Sequence, residues 1–538
     1  MRTVGGTTDR VVVIGAGLSG LSAALHLAGR GREVTVVERS TVPGGLAGRH
    51  DAGGCLMDTG PTVLTMPGII AETLAAVGES LDARLRLIRL DPAYRAHFAD
   101  GSMLDVRADA EAMAEEVRVF AGPVEAAGYR RLRRWLIRLY QAEYARFIAA
   151  NHDSPLGLLT PQLARLAALG GFGRWDGAIG RFIRDERLQR IFTFQALYAG
   201  LAPARALALY AVIAYMDTVG GVYFPRGGMR ALPDALAGAA ADAGVVFRYA
   251  TAVASLERRG HRVTAVRTEE GERIGCDAIV LSCDLPEAYR LLGAVPRRVV
   301  PLRPAPSAVV LHLTAPGVWP GTRHHNLLFG QAWDGTFDDL ISDGRLMRDP
   351  SLLLTRPTAT DPCLAPPGRQ LLSLLAPVPN LTDRPTDWDH TGPAYARELL
   401  DVVAGRLGFA PSTVDTLHVL TPADWGRQGL IAGTPFSLAH TFAQTGPFRP
   451  GNLPRTADNV VLAGCGTTPG VGVPTCLLSG RLAADRITGV PADRERRTIA
   501  GPERPRITDP VSHRLTHAGD RDPALPGRAG DPAVGRRE

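Results

Sequence analysis

Residues 11–20 read Val-Val-Val-Ile-Gly-Ala-Gly-Leu-Ser-Gly, an apolar run suited to a buried strand that enters a glycine turn and then a helical pattern. This order constrains the fold more than any other stretch, because it lets a backbone approach a dinucleotide. Gly15 permits the tight turn, Gly17 removes the side chain where a pyrophosphate meets the backbone, and Gly20 lets the helix pack closely on the strand. Free N–H groups at the helix start would face the phosphates. Leu21, Leu25 and Leu27 continue the helical pattern, and a second strand over 33–37 runs into Glu38. That carboxylate falls near the ~20-residue spacing at which an acid holds the adenosine ribose. Beside these downstream features, an ordinary glycine-rich turn is the weaker reading.

At 538 residues the chain has room for two or more domains and a large core. Hydrophobic residues at 45% and charged residues at 21% describe an ordinary globular protein. The formal charge is +6, and arginine carries all the positive charge because the sequence contains no lysine. No basic run is interleaved with aromatics, which argues against nucleic acid as a partner. A mildly basic surface does suit anionic membranes. Six cysteines, Cys55, Cys276, Cys283, Cys363, Cys465 and Cys476, show neither Cys-x-x-Cys spacing nor a nearby histidine pattern. Zinc and disulfide frameworks are therefore not expected, and no metal site is assigned. No stretch reaches the ~18 apolar residues of a spanning helix, so the expectation is a soluble or surface-bound intracellular protein.

The pattern along the chain is α/β. A dinucleotide domain of Rossmann type is expected from three separated segments, 1–75, 217–295 and 451–490. The first includes a loop, 43–49, whose glycines leave many free amides for a diphosphate. Residues 76–107 and 296–450 are expected to supply a mixed-sheet substrate domain, with strands over 308–313 and 371–376 and a helix over 394–407. Residues 108–216 have helical spacing and form an expected insertion. Within it, over 129–147, Leu132, Leu136, Leu139 and Tyr140 share one face. Core packing is the favoured reading of that stripe, and a membrane-facing surface the alternative. Further strands are expected over 247–256, 262–268, 277–282 and 459–464, with helices over 231–243 and 473–487. Beyond 490 the composition turns to arginine, proline, glycine and aspartate, as expected of a disordered tail over 491–538.

Three separated patterns coincide: the N-terminal fingerprint through Met57-Asp58-Thr59-Gly60-Pro61-Thr62, the central Tyr223-Phe224-Pro225-Arg226-Gly227-Gly228, and Val461-Leu462-Ala463-Gly464-Cys465-Gly466-Thr467-Thr468-Pro469-Gly470-Val471-Gly472-Val473-Pro474. Together they resemble the bacterial-type phytoene desaturases, carotenoid desaturases of the flavin amine-oxidase-like superfamily. Thr360-Asp361-Pro362, Ala365-Pro366-Pro367-Gly368 and Ala376-Pro377-Val378-Pro379 are similar to that family as well, and the likeness spans roughly 10–490. It implies extended FAD, with Gly15, Gly17, Ser19 and Gly20 at the diphosphate and Glu38 on the ribose. Arg39, Gly44, Gly45 and Leu46 would lie along the cofactor, Val253 would meet adenine through its backbone, and Gly464, Gly472 and Val473 would contact the flavin end. Three positions depart from the family pattern: Cys465 where alanine is common, Thr468 where histidine is frequent and Thr475 where glycine often sits. They leave the particular carotenoid and its number of desaturation steps open. Cys465 is read as a small buried side chain rather than a redox thiol.

The resemblance further implies successive dehydrogenation of phytoene to lycopene, a membrane-surface location on the inner face of the cell membrane, and oxygen or a quinone as electron acceptor. Oligomeric state is not specified. Asp153, Asp217 and His325 are possible proton acceptors, each with a structural role as the favoured reading, so the catalytic residue is left unassigned. The alternatives are a desaturase or isomerase of another carotene, a flavin amine oxidase, and a non-catalytic isoprenoid-binding relative. The absent lysine and the 6% aromatic content weigh against the amine oxidase, and the intact glycine patterns weigh against the non-catalytic relative.

Overall fold

Strand β1 (Arg10–Ile14) is buried on both faces, as a parallel strand must be when helices cover the sheet. It runs into α1 (Leu18–Ala28) and pairs in parallel with β2 (Glu33–Val37). Three distant strands complete the sheet: β3 (Val246–Arg248), β4 (Ala278–Leu281) and β5 (Val460–Leu462). The order is β3-β2-β1-β4-β5 with every neighbour parallel. A doubly wound sheet with this order changes winding direction beside its central strand, so the C-terminal end of β1 opens onto a crevice. This computed structural model describes residues 1–490; the tail expected over 491–538 lies outside the described residues.

One strand expected over 247–256 is two. After β3 the chain turns through Ala250, whose φ is +50°, and resumes as Val253–Arg259. That second strand leaves the parallel sheet and pairs antiparallel with Arg262–Thr268. Alternating hydrophobicity runs through both strands, so the break was not visible in the pattern.

The helical segment begins with Ala110–Ala121 and continues as α2 (Pro123–Glu143), which passes into a π-helical turn, Tyr144–Ile148. Leu132, Leu136 and Leu139 are fully buried in the main core, so the stripe on α2 packs inward. Tyr140 stacks on Tyr215 with ring centroids 4.2 Å apart. From there to Gly220 the chain forms short helices and turns, ending in a second π turn, Met216–Gly220.

A seven-stranded mixed sheet stands apart from the parallel one. Its order is Asp415–Leu420, Ser307–Pro316, Arg369–Val378, Leu352–Thr355, His325–Leu328, Tyr94–His97 and Met103–Val106, with the His325–Leu328 and Tyr94–His97 neighbours parallel and the rest antiparallel. Period-two alternation divides its faces. Val309, Leu311 and Leu313 pack beneath the helix Trp388–Leu407, against Tyr395, Leu399 and Val403. Ala308 and Val310 face the opposite way, into a cavity.

The last helix, α3 (Val473–Thr488), closes the parallel domain by lying on α1. A Cβ on Gly480 would fall 2.2 Å from the Ser19 carbonyl oxygen, so only glycine permits this approach. Ser22 Oγ donates to the Leu477 carbonyl at 2.7 Å, and Arg30 pairs with Asp485 at 2.6 Å. Among the described residues no helix is long and apolar enough to cross a membrane.

Candidate active site

At the end of β1, Gly15 takes φ of +103°, a conformation that side chains rarely adopt, and the chain doubles back into α1. The first turn of α1 carries no acidic residue and no side-chain cap, so its N–H groups remain available to an anion. Glu38 is buried at the end of β2, where its carboxylate accepts from Ala16 N–H at 2.7 Å and Ser40 N–H at 2.8 Å. The loop over 43–49 is held onto this turn: Gly44 N–H donates to the Ala16 carbonyl at 2.9 Å, and Gly44 bridges Gly17. From the other end of the chain, Gly464 N–H donates to Ser479 Oγ at 3.0 Å, and a Cβ on Gly464 would lie 3.5 Å from Ser19 Oγ. The two glycine turns therefore meet across α1.

These turns form one wall of a cavity of about 1400 Å³. Gly15, Gly17, Ser19, Glu38, Arg39, Gly44, Gly45, Leu46, Val253, Gly464, Gly472 and Val473 all line it, so twelve of the thirteen expected cofactor residues converge. Gly20 is the exception. A Cβ there would fall 2.0 Å from the Gly15 carbonyl oxygen, so Gly20 packs α1 against the turn, the role its place in the glycine pattern predicts, and does not line the cavity. The Val253 carbonyl accepts from Arg290 at 3.1 Å, and Arg39 donates to the Gln428 carbonyl at 2.7 Å. Open helix-start donors, a fixed buried carboxylate and two facing glycine turns fit an extended dinucleotide such as FAD.

Away from the glycines the cavity runs between the mixed sheet and the helical segment, past Val310 and Leu375 to Leu158, Leu163 and Phe172. Two carboxyl groups stand on this mostly apolar wall. Asp217, on the second π turn, is buried; burial pushes its pKa up to about 7, opposed by the neighbouring Tyr94 hydroxyl and Gln195 amide. Glu143, the last residue of α2, has no hydrogen-bond partner at Oε1 among the described residues, and burial holds it well above the usual carboxylate range.

The other two candidate proton acceptors lie elsewhere. Asp153 ties the N-terminal segment to α3 by accepting from Arg486 and from the Arg2 N–H. His325 is fully buried off the cavity wall, with Nδ1 3.0 Å from Thr355 Oγ1, and burial pushes its pKa down to about 3. Sequence reasoning passed over Glu143, although a signal was present. It follows Leu132, Leu136 and Leu139 at helical spacing, so a carboxyl continues an apolar stripe.

Comparisons with known proteins agree with this geometry. The family of flavin containing amine oxidoreductases matches residues 18–488. A phytoene dehydrogenase from Streptomyces griseus is 61% identical over 507 residues, covering 93% of this chain and 99% of that protein. A zeta-carotene-forming phytoene desaturase from Myxococcus xanthus is 36% identical over 491 residues, covering 89% of this chain and 93% of its own length. Among solved structures, an oxidoreductase from Methanosarcina mazei superposes with a TM-score of 0.61 at 16% identity, covering 88% of this chain and 99% of that one, which bears on the fold alone. The chain belongs to the phytoene desaturases, within the flavin-containing amine oxidoreductase family.

Proposed function

We propose that this FAD-dependent carotenoid desaturase takes phytoene from a membrane surface and carries it through successive dehydrogenations to lycopene. The supporting observation is the single continuous cavity. Its volume of about 1400 Å³ exceeds the roughly 300–1,000 Å³ of a site for one drug-sized ligand, leaving room for a dinucleotide and a long second molecule. Carotenoid precursors are hydrocarbons with nothing to hydrogen-bond, so an apolar channel must position them by shape. The glycine turns, Glu38, Arg39, Leu46 and Val253 would hold FAD, which supplies the oxidising power by accepting a hydride from an allylic carbon.

The neighbouring carbon must lose a proton, and the pair of electrons left behind becomes the new double bond. We assign Asp217 as the acceptor: it stands on the wall, and its pKa near neutrality suits proton abstraction. Glu143, whose pKa burial raises well above the usual carboxylate range, stands on the same wall. The channel passes Leu158 and Phe172, and nearby Leu156 and Leu159 are 75% and 73% exposed. Exposed leucines beside an apolar channel suit entry from lipid. In this proposal the protein works peripherally on the inner face of the cell membrane, with oxygen or a quinone as final acceptor.

Expression in phytoene-producing cells tests the reading by chromatography of the pigments. Red lycopene is expected. Accumulation of zeta-carotene would assign the product of the Myxococcus relative instead, and unchanged phytoene beside flavin-loaded protein would refute desaturation. Flotation with anionic liposomes tests the entry surface: Leu156→Asp with Leu159→Asp should leave the protein in the soluble fraction, and unaltered flotation would move the membrane contact elsewhere.

A further inference from the structure

Two of the six cysteines meet beside the C-terminal glycine turn. Cys465 directly follows Gly464, and Cys476 lies in the first turns of α3, three residues after Val473. Both are free thiols, both line the cavity, and their sulfur atoms are 3.2 Å apart. A disulfide bond is about 2.05 Å long, so closure requires the sulfurs to approach by little more than an ångström. No other pair of cysteines is in hydrogen-bonding contact among the described residues.

The surroundings favour a thiolate. Arg449 is almost fully buried, yet it forms no ion pair among the described residues. Its guanidinium donates to the carbonyls of Cys465 at 2.6 Å and Thr467 at 3.1 Å. Burial pushes its pKa down to about 10, and Cys465 is the first of the neighbours that oppose this. The start of α3 has no acidic residue and no side-chain cap, which adds partial positive charge near both sulfurs. Hydrogen bonding from Cys476, opposed by burial and Asp284 and aided by Arg449, holds the Cys465 thiol below the ordinary thiol range, while Cys476 is held above it by that same contact and by burial. A low-pKa thiol touching a second thiol is the arrangement of a redox-active pair, whereas inert buried cysteines sit in apolar surroundings.

We infer that Cys465 and Cys476 exchange two electrons with the bound flavin, cycling between a disulfide and two thiols. In the forward direction the fully reduced flavin gives two electrons and two protons; the S–S bond breaks, two S–H bonds form, and the flavin returns to its oxidised state. The reverse transfer closes the disulfide as oxidised flavin is reduced. The pair then stores the electrons of one desaturation step beside the cofactor. This inference rests on the assignment of Gly464, Gly472 and Val473 to the flavin end.

Holoprotein treated with ferricyanide and desalted provides the test. Anaerobic titration with dithionite should consume about four electrons per flavin, two for each centre, with a long-wavelength thiolate-to-flavin absorbance at the midpoint. Cys465→Ala and Cys476→Ser should each lower the uptake to about two and abolish that band. Tryptic peptide 456–481 carries both cysteines. It should resist alkylation before reduction, be lighter by two hydrogens, and take up two labels afterwards. An uptake of about two electrons by flavin-loaded wild-type protein, or full labelling of that peptide without reduction, overturns the inference alone. Absence of flavin in the purified protein, read by absorbance before titration, sinks the cofactor assignment and this inference with it.

Discussion

Glu38 shows how one side chain can be fixed for a ligand before that ligand arrives. Its carboxylate already accepts two backbone N–H groups inside the cavity wall. Hydrogen bonds to a charged group are worth about 1.5–3 kcal/mol. Glu38→Ala should therefore weaken FAD binding by about 10–100-fold, measured as flavin retained per protein through gel filtration and as a dissociation constant by fluorescence. Asp217 should affect chemistry and leave binding intact. Only its carboxylate form accepts a proton, and burial raises its pKa to about 7. Turnover should climb as pH rises through about 7 and level off above it. Asp217→Asn should cut turnover by about 10²–10⁴-fold and flatten that profile, with the flavin spectrum unchanged. Residue roles were unevenly legible in the sequence. Glu38 was visible from its distance along the chain to the glycine turn. Asp217 was visible as a candidate with no reason to prefer it to Asp153 or His325, because the difference is cavity exposure. The contact between Cys465 and Cys476 depends on how the intervening glycine turn folds back, which spacing does not record.

Among the elements, α2 carries the clearest energetic prediction. Leu136 is fully buried in the main core, and removing such a side chain costs about 2–5 kcal/mol because the cavity left behind refills only in part. Leu136→Ala should lower the denaturation midpoint of the protein accordingly, while Leu156→Ala, at a 75% exposed position, should leave it nearly unchanged. Equilibrium unfolding in urea separates the two. Strands were legible as far as their hydrophobic pattern carried the information. The run 308–313 appears within Ser307–Pro316 and 371–376 within Arg369–Val378. The stretch 247–256 failed for a local reason: Ala250 adopts a left-handed backbone, and the residues on either side join different sheets. Alternation reports which face a strand buries, and a turn that preserves the alternation is invisible to it.

At the scale of the molecule, the parallel domain depends on segments far apart in sequence. β5 and α3 come from the end of the described chain, and α3 packs along α1 through Gly480 and the Arg30–Asp485 pair. A chain ending at residue 458 would expose the edge of β4 and the buried face of α1. It should express as insoluble protein without flavin, and adding back the missing segment as a separate peptide should not restore a yellow soluble fraction. Solubility and flavin absorbance after lysis check this. The sequence by itself determined the dinucleotide turn, the order of the parallel strands' hydrophobic runs and the family, since glycine spacing and buried runs are local properties that survive without coordinates. Only the tertiary structure decided that Asp217 and Glu143 stand on the cavity wall, that Asp153 and His325 do not, and that two cysteines touch beside the C-terminal glycine turn. Those relations are set by how turns fold back and how separate elements pack, which spacing along the chain does not record.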